Sequence, residues 1–141
     1  MALTVTRTQV WTATLEDRAG GLAETLEPLA RAGASLEFLL ARRAPERPGT
    51  AIVFAAPIKG ARVIKAARAA GFSNSGEVHA LRIEGPDKAG LMAEVSRVLA
   101  DAGVNFRGLT AAGIGRKFAA YLALDTAEDA RTAAAALKKV R

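Results

Sequence analysis

The chain has 141 residues, half of them apolar and 24% charged, which suits one ordinary domain or two small modules sharing a core. It carries no cysteine, which excludes disulfide frameworks and thiolate metal sites, and no apolar run approaches the roughly 18 residues of a membrane span. The net charge of +6 is scattered, with its densest cluster at Lys138, Lys139 and Arg141, so it reads as a basic solvated surface rather than a nucleic-acid or membrane patch.

In chain order, residues 10–15 alternate, with Trp11, Ala13 and Leu15 on one face, and predict a strand. Leu22, Leu26 and Leu29 recur at helical spacing, Gly33 stands where a C-cap belongs, and Pro28 inside the run predicts a kink or a tightening of its first turns. Residues 36–42 and 51–56 predict two strands joined by a loop containing Pro45, Pro48 and Gly49. Residues 59–70 predict a helix stopped by Gly71, and residues 73–76 a short closing strand. The order then restarts. Leu81 and Ile83 mark a strand, and Met92, Val95, Val98 and Leu99 a helical stripe ended by Gly103. Residues 106–111 and 118–124 form a hairpin around Gly113 and Gly115. Thr126 with Asp129 resembles a capping box, opening a helix that runs nearly to Arg141 and leaves no room for a last strand.

The restart is a repeat. Shifted by 70 residues, Asp17 to Leu36 lies over Asp87 to Phe106 without a gap, and nine of twenty positions are identical, among them Asp17/Asp87, Gly20/Gly90, Glu24/Glu94 and Gly33/Gly103. The expectation is an α+β fold of two ferredoxin-like βαββαβ modules, residues 1–76 and 77–141. Each has an antiparallel sheet with helices on one face, and the last strand of the second module is short or absent. The open edge left by that strand predicts a homodimer.

At Asp17-Arg18-Ala19-Gly20-Gly21-Leu22 and Asp87-Lys88-Ala89-Gly90-Leu91-Met92 the chain resembles the ACT domain family. There a strand ends in a short acidic-basic-Pro/Ala-Gly turn leading into a helix. The family's second signature, Ala-Gly before a β-branched residue and Asn, is similar to Ala102-Gly103-Val104-Asn105 and, with Ser35 for Asn, to Ala32-Gly33-Ala34-Ser35. Ala19 and Ala89 replace a frequent proline. The resemblance implies a stand-alone tandem ACT protein that binds an amino acid and regulates, with no enzyme domain; the absence of cysteine fits the reducing cytoplasm.

The residues give that implication a physical basis. The first amides of a helix lack internal partners and carry partial positive charge, so a carboxylate is stabilised there. Gly20, Gly21 and Gly90 let a ligand approach the backbone, beside Ala19, Leu22, Ala89, Leu91 and Met92. Asp17 or Asp87 would take the ligand's ammonium, and Asn105, or Ser35 in the first copy, would hold its backbone end. Purely structural roles stay open: Asp17 and Asp87 as N-caps, Gly20 and Gly90 as turn formers, Asn105 bonded to its own loop.

Other chemistries find no support. His79 is the only histidine, so a zinc site would need carboxylates alone. Ser73 and Ser75 lack a triad, and Gly113 to Lys117 lacks the spacing of a phosphate loop. No catalytic residue, metal or cofactor is expected. An RNA-binding module of the same topology is the alternative. It is weakened by Ala120 where a stacking aromatic belongs and by Phe118 and Tyr121 on opposite faces of their strand.

Overall fold

The computed structural model describes residues 3–74, 76 and 78–140. Ser75, inside the strand expected at 73–76, and Arg141, of the basic cluster, lie outside them. The strands are β1 (Thr4–Thr8), β2 (Trp11–Glu16), β3 (Phe38–Arg43), β4 (Thr50–Ala56), β5 (His79–Pro86), β6 (Gly108–Ile114) and β7 (Lys117–Leu124). The helices are α1 (Gly21–Arg31), α2 (Ala61–Ala69), α3 (Leu91–Asp101) and α4 (Ala127–Leu137). They form two compact units, and both are antiparallel sheets backed by two helices. The expected α+β class and the doubled order of elements are what the structure has.

One unit holds β2, α1, β3, β4 and α2, with strand order β2-β4-β3. Alternation in β2 sends Trp11 and Ala13 inward opposite Ala55 and Val53. Leu29 of α1 and Val63 and Ala67 of α2 close this core, together with Phe72 beyond α2. Pro28 sits in the last turns of α1, where Gly33 and Ala34 donate to the carbonyls of Ala30 and Leu29 and end the helix. Where a closing strand was expected, Ser73 makes a single bridge to Thr12, donating at 2.8 Å and accepting at 3.0 Å.

The second unit has four strands in the order β1-β5-β7-β6. Leu81 and Ile83 face Leu122 and Ala120 across the ladder, and Leu91, Val95 and Leu99 of α3 with Ala133 and Leu137 of α4 cover them. Thr126 caps α4 by accepting from the Asp129 amide at 3.0 Å, as its spacing predicts. No strand follows α4 among the described residues. Its place in the sheet is taken by β1, which pairs antiparallel with β5 from Thr4 opposite Glu84 to Thr8 opposite Ala80. Two sequence readings are corrected by this pairing. The β5 edge, expected to be open, is covered. A division at residue 76 puts Thr4–Thr8 in the first module, whereas its hydrogen bonds belong to the second module's sheet. Of the five residues of β1 only Val5 is apolar, so alternation gives no signal there.

Candidate functional site

Two turns connect strand to helix at equivalent places, 17–20 between β2 and α1 and 87–90 between β5 and α3. In each, the aspartate amide donates to the neighbouring hairpin: Asp17 to the Gly49 carbonyl at 3.0 Å, Asp87 to the Arg116 carbonyl at 2.8 Å. The N-caps are Gly20 and Gly90, left-handed at φ 85° and 81°, so neither aspartate is the cap. No side chain caps either helix. The backbone amides of Glu24 and Glu94 donate to the cap carbonyls, and the amides of Leu22, Ala23, Met92 and Ala93 have no backbone acceptor among the described residues. Both helix openings therefore present bare amides.

What lies over the openings differs. At the first, Arg18 folds across the turn. Its Nε is 2.9 Å from Glu16 Oε2, Nη2 meets Glu24 Oε2 in a close contact, and Nη1 donates to the Ala19 carbonyl at 3.3 Å. The hydrogen bond from Arg18 holds the Glu24 carboxyl below its usual range, and Glu24 and Glu16 hold the guanidinium above its own. Asp17 accepts from Arg43 Nε at 2.5 Å. A Cβ on Gly21 would lie 2.7 Å from the Glu16 carbonyl oxygen, so that glycine serves backbone packing.

At the second opening Lys88 reaches Glu94 only at 3.8 Å, and a Cβ on Gly90 would meet nothing within 4 Å. Asp87 lies over β6, where a Cβ on Gly113 would come 2.8 Å from its Oδ2. Glu94 Oε1 is buried without a hydrogen-bond partner.

The remaining candidates separate. Ala19 and Ala89 are exposed beside the turns, whereas Leu91 is 3% exposed in the core and Leu22 and Met92 pack against their cores. Ser35 and Asn105 are exposed beyond the far ends of α1 and α3. An 11-residue helix is about 16 Å long, so no single module brings Asn105 to the Asp87 turn. Sequence reasoning passed over Gly113 and Arg116 as a plain hairpin turn. The signal was their place in the hairpin that must flank the first strand of this topology. The aromatic pair needed for RNA stacking is absent from this sheet face: Phe118 is 5% exposed in the core, and Arg82 stacks over Tyr121 at 5.9 Å. His79 accepts from Arg7 at 3.3 Å. Among the described residues no group of three metal-ligating side chains occurs, and no helix is long and apolar enough to cross a membrane.

Two βαββα units, each with a glycine-capped helix opening after its first strand, define a tandem ACT-like fold. Residues 79–141 match the model of the ACT domain. Among solved structures, a protein from Bacteroides thetaiotaomicron is similar at 16% identity and TM-score 0.74, covering 96% of this chain and 99% of that one. The regulatory subunit of aspartate kinase from Thermus thermophilus, in ligand-free form, is similar at 15% identity and TM-score 0.65, covering 97% and 93%. The corresponding subunit from Thermus flavus is similar at 16% identity and TM-score 0.60, covering 97% and 95%. Among curated protein sequences none matches.

Proposed function

We propose that this protein is a non-catalytic, ligand-binding regulator that takes an amino acid at the turn 87–92. The observation that carries this reading is the asymmetry of the two openings. Arg18 crosses the turn before α1, bonded to Glu16, Glu24 and the Ala19 carbonyl, whereas the α3 opening offers the Met92 and Ala93 amides beside a Gly90 with nothing within 4 Å of its Cβ position. A ligand carboxylate is stabilised at those amides by hydrogen bonds and the helix dipole. Its ammonium has two carboxylates close by, Asp87 and Glu94, the latter with an unsatisfied oxygen. The ACT match over residues 79–141 and the likeness to regulatory subunits support the same reading.

A homodimer fits it. Asn105 is beyond the reach of a ligand at Asp87 in its own module, so it meets that ligand only from a second chain. The free edge strand opposite β1 is β6, Gly-Leu-Thr-Ala-Ala-Gly-Ile, with no charge or proline to block strand pairing.

Thermal-shift screening across the amino acids is the test. At least one should stabilise the chain, by ~2.7 kcal/mol at a hundredfold excess over its Kd. Asp87→Asn should remove that gain while leaving the unliganded melting temperature nearly unchanged. Stabilisation by none of them overturns the proposal, and sedimentation showing only monomer in its presence overturns the dimer.

A further inference from the structure

The four-stranded sheet has a second face, turned away from α3 and α4, and it is not flat. Ala119 and Ala112 stand side by side in one cross-strand row, with Arg82 and Tyr121 in the row on one side and Lys117 and Ile114 in the row on the other. Small side chains between larger ones leave a groove of about 720 Å³, with Arg116 of the β6–β7 turn in its lining. That volume lies within the range of small-molecule sites.

The lining is chemically specific. Its floor and one wall are apolar, and Ile114 is 75% exposed, an unusual expenditure of a large aliphatic side chain on water. Glu84, in the groove, is neutralised by Arg82 at 3.1 Å. Arg116 and Lys117 form no ion pair among the described residues, so the rim keeps two uncompensated cations.

We infer that this groove is a second binding site, for a small organic anion with a flat apolar body, such as an aromatic carboxylate. The body covers Ala112, Ala119 and Ile114 and removes them from water. The carboxylate takes the Arg116 guanidinium through paired N–H donors, with Lys117 adding charge. A zwitterionic amino acid, with no net charge and little apolar body, leaves both features unmatched. The groove and the proposed amino-acid site are therefore separate and take different ligands.

Titration of the full-length chain with 2-naphthoate, followed by amide NMR, tests the assignment. The amides of Ala112, Ile114, Lys117 and Ala119 should shift. 2-Naphthamide, the same body without charge, should bind more weakly by on the order of tenfold. The double variant Arg116→Glu/Lys117→Glu should lose affinity to a similar extent, and Ala119→Leu, a solvent-face change that fills the groove, should abolish the shifts. Absence of shifts at these four amides, shifts confined to 87–92, or equal affinity for acid and amide would overturn it.

Discussion

A Cβ on Gly21 would press on the Glu16 carbonyl at 2.7 Å, a backbone atom that moves only if the end of β2 moves with it. Gly21→Ala should therefore destabilise the chain by about 1–3 kcal/mol, read from denaturant midpoints. Gly90 is different: it has open space but a φ of 81°, so Gly90→Ala carries only the backbone strain of a left-handed residue, about 1–2 kcal/mol. Beside Gly21, the Glu24 carboxyl is lowered by Arg18. A depressed carboxyl contributes stability above its unfolded value, and that contribution is lost as pH falls through the lower folded value. Arg18→Ala should return Glu24 to the ordinary carboxylate range in an NMR titration and flatten that acid-side dependence. The change in stability itself should be small, because both groups are exposed. At this scale much was legible in the sequence. Gly33 and Gly103 as helix ends and Thr126 as a cap follow from local backbone chemistry. Which opening is covered was not legible, because Arg18 and Lys88 occupy the same motif position and differ only in how far they reach onto Glu24 and Glu94.

β1 shows where pattern reading stops among the elements. Its sequence, Thr-Val-Thr-Arg-Thr, has no apolar face, and its partner β5 begins about 70 residues later, so neither alternation nor proximity announces it. The core nevertheless depends on the chain just before it. Leu3 is 7% exposed, packs in the second unit's core, and lies where a Cβ on Gly85 would meet it at 2.7 Å. Leu3→Ala should cost about 2–5 kcal/mol. The loss should appear as faster amide exchange in β5 and β7, far along the sequence, with β2 and β4 unchanged. Equal loss in both sheets would contradict the strand's assignment to the second unit. The helices, by contrast, were legible to within a few residues, because their apolar residues recur every three to four positions over 9 to 11 residues.

For the whole molecule, duplication supplied two similar units with separate cores, and the side chains over the turns make them inequivalent. If one opening is used, calorimetry should give one amino acid bound per chain. Binding stabilises only states in which the site is intact, so a hundredfold excess over Kd should slow the globally exchanging amides of the liganded unit by roughly 100-fold. That protection should cover β5, β7 and α3, and also β1, which pairs with β5 although it lies at the other end of the chain. Amides of β2, β4 and α1 report on the other core, around Trp11 and Val53, and should exchange at their unliganded rates. Two ligands per chain, or equal protection of both sheets, would mean that Arg18 yields its place to the ligand, and the difference between the turns would then be one of affinity rather than of access.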